Sequence, residues 1–291
     1  MPSAWKQLQN IAPEKMMSAY QQAHQLSQWL ARFARGYLAA KPDDSHTSLM
    51  WHRNMGIMTT NAAGVSGHQI SFGLELRDLS LIKIDDGNVV DSISMHGLTD
   101  GDAGDWMRSA IEAMGLDPSA LAADLPYDVP ASPYSTGGTF DVEKNFTALS
   151  EFARYLDNTS QVLNEVVAKH QHIHPGPAPV RLWPHHFDLA TIITLEEGDF
   201  ESAHAVGFGL AVPDPSRDAF YFYTYPWPRN ERTDLPALNA DSAYQYDGNV
   251  GALQMMDKLV AASDQEATAR VFFDETVGTF IRLLQADMAA R

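Results

Sequence analysis

Apolar residues recur along the chain at two different periods. From Pro13 and Glu14 onward, Met16, Tyr20, Ala23, Leu30, Phe33 and Tyr37 keep one face apolar, which predicts a helix reaching Gly36 or Ala40. Proline suits the first helical position, where its missing N–H has no intrahelical partner to lose, and Lys41-Pro42-Asp43-Asp44 ends the helix. The period then shortens. Leu49 to Thr60, His68 to Leu76, Leu79 to Ile84 and Val89 to Met95 read as an antiparallel meander, with Asp85-Asp86-Gly87-Asn88 suited to a tight turn at positive φ. In the second run His68, Ile70, Phe72, Leu74 and Leu76 share a side, so that side is expected to face the core.

Asp102 or Thr99 can cap a short helix in which Trp106, Ala110 and Met114 share a face and Gly115 is the stop. Residues 116–140 carry Pro118, Pro126, Pro130, Pro133, Gly137 and Gly138, the mark of a surface connector with one helical turn at Ser119 to Ala123. A second long helix is predicted from Asp141 to His170, with Val142, Phe146, Leu149, Ala153, Leu156, Leu163 and Val167 as its stripe. Strands return at Phe187 to Leu195, His204 to Val212 and Phe220 to Tyr225, followed by an irregular stretch from Pro226 to Asp241. Ala243 to Tyr246 or Ala252 to Met256 adds a short strand, and Ser263-Asp264-Gln265-Glu266 reads as a capping box. It opens a last helix that buries Phe273, Val277, Phe280, Leu284 and Met288.

Helix, strands, helix thus occurs twice. The expected fold is α+β, in two similar halves at 1–115 and 141–291 joined by the connector 116–140, their sheets related by a pseudo-twofold axis. Trp51 precedes the strands of one half as Trp183 does in the other, and His68-x-x-x-Phe72-Gly73-Leu74 matches His204-x-x-x-Phe208-Gly209-Leu210. A junction between two such halves is where a pocket would be expected.

Composition narrows the function classes. A chain of 291 residues, 45% of them hydrophobic, can bury a full core and is not disordered. Its formal charge of -17 argues against nucleic acid and anionic membrane as partners, because both are held mainly by Lys and Arg. With no cysteine there is no disulfide, thiolate metal site or Cys nucleophile. No basic segment leads into an apolar run near Met1 and no window approaches ~18 apolar residues, so neither signal peptide nor membrane span is expected and the location is expected to be cytoplasmic.

Candidate chemistry concentrates between Arg181 and Trp227. On a strand after Trp183, His185, Phe187, Leu189 and Ile193 would take one side and His186, Asp188, Ala190 and Ile192 the other. His185 is then expected at the rim of the core, joined there by His204 from a neighbouring strand. His68 is the counterpart of His204, and Arg53 aligns with His185 when the tryptophans are matched, completing a ligand-binding set at the mouth of an apolar cavity. A single histidine at such a place more often just hydrogen-bonds backbone. His186 and Asp188, two apart, could offer a nitrogen and an oxygen to one metal ion if a third ligand came from elsewhere. Tyr221, Tyr223 and Tyr225 would line up on one side of their strand, either flooring a groove for a planar or sugar-like ligand or packing across the sheet. His170-x-His172-x-His174 at a helix end is expected to serve the dipole or to be solvated. Gly64-Val65-Ser66-Gly67 lacks the spacing of a nucleophile elbow and no Gly-rich run would cradle phosphate, so no cofactor is assigned.

The run Val180-Arg181-Leu182-Trp183-Pro184-His185-His186-Phe187-Asp188-Leu189-Ala190, the Phe220 to Pro228 segment, and Gly251-Ala252 with the helix from Ala267 to Leu284 resemble an uncharacterised bacterial family, the domain-of-unknown-function family numbered five-nine-nine-six. The resemblance covers nearly the whole chain and implies no activity, cofactor or catalytic residue. The leading expectation is a binder of a small molecule, using Arg53, His68, His185, His204 and the three tyrosines. A metal-assisted enzyme built on His185, His186, Asp188 and His204 is the alternative, and a structural or partner-binding protein without a pocket is the third.

Overall fold

The computed structural model describes residues 5–199, 202–214, 217–228, 230, 232, 234–238, 242–246 and 250–290. Two compact units divide the chain: an N-terminal unit of Ile11–Arg154 with Leu182–Phe187, and a C-terminal unit of Met1–Asn10, Tyr155–Arg181 and Asp188–Arg291. The class is α+β, with two antiparallel sheets. Residues 116–140 fall inside the N-terminal unit.

That unit opens with α1 (Pro13–Tyr37), which buries Met16, Tyr20, Ala23, Leu30 and Phe33 and stops where Leu38 turns extended. Its strands are β1 (Met50–His52), β2 (Ile57–Thr59), β3 (Ala63–Val65), β4 (His68–Glu75), β5 (Ser80–Asp85) and β6 (Asn88–Ser94), in the order β1-β2-β4-β5-β6 with β3 on β4. The expected run from Leu49 to Thr60 is broken at Arg53 to Gly56, because Asn54 (φ 65) and Gly56 (φ 73) reverse the chain there. Asp86 (φ 46) and Gly87 (φ 82) make the tight turn into β6. Phe72 of β4 carries the core: its ring meets Phe33 edge-on at 4.7 Å and Trp106 at 5.9 Å.

Trp106 belongs to α2 (Asp100–Glu112), whose first turn is held by a reciprocal cap. The Thr99 N–H donates to Asp102 Oδ2 at 2.8 Å, while the Asp102 N–H reaches Thr99 Oγ1 at 3.4 Å. Thr99→Ala should therefore destabilise the protein by about 1 kcal/mol. Urea unfolding followed by circular dichroism would show it as a lower midpoint, and an unchanged midpoint would mean the cap contributes nothing.

The long helix α3 (Val142–Lys169) begins in the N-terminal unit and ends in the C-terminal one. Leu149, Ala153, Leu156 and Leu163 are buried as expected, but Phe146 is 51% exposed. Its neighbour Asn145 takes the buried place, donating through Nδ2 to Asp141 O at 2.8 Å.

In the C-terminal unit β7 (Gly176–Pro177), β9 (Asp188–Thr194), β10 (Ala205–Ala211), β11 (Tyr221–Trp227), β12 (Ala243–Tyr246) and β13 (Val250–Met255) form a sheet ordered β12-β13-β11-β10-β9-β7, and the short β8 (Arg181–Trp183) runs from Arg181 in this unit to Leu182 and Trp183 in the N-terminal one. Where one short strand was expected, at Ala243 to Tyr246 or Ala252 to Met256, two form, β12 and β13, and they pair with each other. Of the expected irregular stretch 226–241, Pro226 and Trp227 end β11, and residues 229, 231, 233 and 239–241 lie outside the described residues. Short α4 (Met256–Ala261) leads into α5 (Gln265–Ala289), whose cap is Asp264, accepting from the Ala267 N–H at 2.9 Å. Phe222 of β11 packs against Phe273 at 4.8 Å, and Thr224 meets Thr276 at 2.9 Å. Alternation then sets Tyr221, Tyr223 and Tyr225 on the other face of the sheet. No helix among the described residues is long and apolar enough to cross a membrane.

Candidate functional site

The histidines of the Trp-Pro-His-His-Phe segment sit on a turn, which corrects the expectation of a continuous strand. Proline disfavours helical backbone at Trp183 and fixes φ at the next position, so the chain leaves β8 ready to reverse. It closes when the Phe187 N–H donates to Trp183 O at 2.6 Å, with Phe187 itself at φ 56. A left-handed conformation at a non-glycine residue costs about 1–2 kcal/mol. Burial of the Phe187 ring offsets it: the side chain is 1% exposed, stacks on His24 at 5.0 Å and lies 6.0 Å from both Tyr20 and Phe152.

Two side chains of α1 fix the turn from below. His24 Nε2 donates to Pro184 O at 2.9 Å, and Gln28 Nε2 donates to the same oxygen at 3.0 Å. Tyr127 in turn donates to Gln28 Oε1 at 3.0 Å. The sequence reading missed this set, although it left a signal: His24 and Gln28, four apart, interrupt the apolar stripe of α1 and are buried nonetheless.

His185 is thereby held half-buried between aromatic rings, 5.8 Å from Tyr127 and 6.0 Å from Trp183, with the exposed His186 ring 4.3 Å away. Neither ring nitrogen of His185 has a hydrogen-bond partner among the described residues. Burial, helped by the His186 charge and opposed by Asp44, lowers its pKa to about 4, so the imidazole is neutral at pH 7. His24 is lowered to about 4 as well, by burial first.

The tyrosines of β11 form a second polar feature, inside the C-terminal unit. Tyr223 donates to Asp188 Oδ2 at 2.6 Å and Tyr221 to Asp214 Oδ2 at 2.7 Å, while the Arg217 guanidinium lies 4.9 Å from the Tyr221 ring centroid. Burial and then the Asp188 charge push the Tyr223 phenol well above its usual range. Two of the three hydroxyls are thus already engaged within the protein. A Cβ on Gly207, opposite Tyr225, would meet no heavy atom within 4 Å.

The expected set of Arg53, His68, His185 and His204 does not assemble within either unit. Ile57, just past the Arg53 turn, pairs with Glu75 at the far end of β4 from His68, which at ~3.3 Å per residue is roughly 23 Å away. His68 is exposed, and hydrogen bonding to Asp85 together with the Asp85 and Asp86 charges raises its pKa. His204 is not at a rim: it is 2% exposed, with its Nδ1 against Glu196. Asp188 starts β9 whereas His204 precedes Ala205, the partner of Thr194 at the other end, so these two expected metal ligands are also separated. Among the described residues the one group of three convergent ligand atoms is His68, Asp85 and Asp86, and it includes neither His186 nor Asp188.

Fold and site together define the class as an α+β protein with two antiparallel sheets and a clamped, aromatic-flanked histidine turn. No family model matches the chain, and no curated protein or solved structure matches it significantly.

Proposed function

We propose that this protein binds a small planar molecule at the Trp183 to Phe187 turn, with His185 as the hydrogen-bonding group. The observation that carries the reading is His185 itself: a neutral imidazole, flanked by Trp183 and Tyr127, without a protein partner for either nitrogen among the described residues. A site of that kind offers one donor and one acceptor between aromatic surfaces, which suits a flat ligand with complementary edges. Binding is favoured over proton transfer, because a pKa near 4 leaves His185 a weak base at neutral pH. The clamp on Pro184 O supports it further, since a turn fixed before the ligand arrives loses little entropy on binding.

The test is a screen of planar metabolites against imidazole-labelled protein, read by the NMR signals of its 11 histidines. A true ligand should perturb His185 and bind His185→Ala about tenfold more weakly, the worth of one good hydrogen bond. A compound that binds wild type, His185→Ala and Trp183→Ala equally would move the site elsewhere.

We also propose that the two units descend from one duplicated element. Support comes from the matched glycines: a Cβ on Gly73 of β4 would lie 2.9 Å from Met58 O on the paired strand β2, and one on Gly209 of β10 would lie 2.5 Å from Leu189 O on the paired strand β9. In each unit the glycine-bearing strand, β4 or β10, pairs antiparallel with the strand that follows it, β5 or β11. The resemblance to the domain-of-unknown-function family adds no chemistry to either proposal.

A further inference from the structure

At the end of α3 His172 and His174 are exposed, as expected, and His170 is half-buried. His170, His172 and His174 line a cleft of about 530 Å³ in the C-terminal unit, together with Lys169, Gly278, Ile281 and Arg282. Every titratable side chain lining it is basic, in a chain whose formal charge is -17. Such a concentration raises the local potential where the rest of the surface would repel an anion.

We propose that this cleft binds a small polyvalent oxyanion, the phosphate group or polycarboxylate of a metabolite. His170 has its Nδ1 committed to Val166 O at 2.9 Å and stacks 6.2 Å from His172, while His172 and His174 have no protein hydrogen-bond partner among the described residues. Across the cleft, Arg282 commits one guanidinium nitrogen to Thr279 Oγ1 at 3.2 Å, which leaves most of its five N–H groups for an anion. Lys169 is partly neutralised by Asp274 at 2.8 Å and is the weaker contributor.

Gly278 supplies a second, independent observation. Glycine in a helix interior is unfavourable, so its presence in α5 calls for a packing reason. A Cβ there would stand 3.3 Å from an Arg282 guanidinium nitrogen, close enough that the guanidinium would have to shift by a few tenths of an ångström. A metal ion is the competing occupant. It is disfavoured by the charges of Lys169 and Arg282, and the three imidazoles do not bring their nitrogens together as a ligand set.

Isothermal titration of the full chain with inorganic phosphate and with citrate, at pH 6.5 and low salt, tests the assignment. One site per chain is expected, with a dissociation constant of about 1 mM or tighter for at least one probe. The tighter probe tells phosphate from carboxylate recognition. Arg282→Gln should weaken that probe about tenfold or more, since it removes a charge-assisted contact on an exposed residue. Gly278→Ala should raise the melting temperature through helix propensity and yet weaken the anion, a split that a purely structural glycine would not give. The proposal is overturned if neither probe binds below about 10 mM, if both variants bind like wild type, or if zinc binds stoichiometrically through His172 and His174 while the anions do not.

Discussion

Gly209→Ala is expected to destabilise the protein by about 3 kcal/mol, at the upper end of what an added core methyl does. Gly209 lies on β10 opposite Ala190 on one side and Tyr223 on the other. The new Cβ would come to 2.5 Å from Leu189 O and 2.9 Å from Ala190 Cα, both backbone atoms of a paired strand that cannot swing aside. Two residues earlier the same substitution meets nothing. A Cβ on Gly207 has no heavy atom within 4 Å, so Gly207→Ala should stay within about 0.5 kcal/mol of wild type. Urea unfolding of the pair isolates close approach from any general intolerance of strand β10, because both changes add one methyl group to the same strand. Equal midpoints for the two variants would show that the sheet can relax around the clash.

The long periodic elements were legible in the sequence, since each repeats its signal over many residues. α1, α3, α5, β4, β10 and β11 all fall where the spacing put them. What failed was local and set by tertiary context. One short strand, β3, carries too few residues for alternation to register, and it forms because Ala63 to Val65 can pair with His68 to Ile70. Phe146 was assigned to the buried stripe by its spacing, yet Asn145 fills that position by bonding its own helix. The site shows the same division. Its location was readable from the density of His, Trp and Pro residues, but alternation across Pro184 to Phe187 was not, because a left-handed phenylalanine breaks the period and no sequence rule expects one. Convergence of His68 and His204 with His185 was inferred from matched motifs, which fix positions within each unit and carry no information about which side chains meet. The N-terminal segment was silent for another reason: Lys6 and Leu8 are held by the amides of Asn158 and Gln265, pairings more than 150 residues apart that no local pattern encodes.

Acidification from pH 6.5 to 4 should weaken the fold through His24, and replacing that residue should remove the effect. The folded pKa is about 4, set first by burial, with the His186 and His185 charges adding to it and the bond to Pro184 O opposing. The unfolded value is about 6.5. Above pH 6.5 the imidazole is neutral in both states and contributes no pH dependence. As the pH falls through the interval the unfolded chain takes up a proton that the folded chain refuses, so stability is lost at up to about 1.4 kcal/mol per unit, some 3 kcal/mol in all. His185 titrates in the same direction, but it is only half-buried, and solvent screening makes its share smaller. His24→Gln keeps a donor for Pro184 O without a titrating group, so the gap between the two proteins in urea unfolding should change by about 3 kcal/mol between pH 7 and pH 4 in the variant's favour. Parallel stability curves over that range would mean that His24 already takes its proton in the folded state.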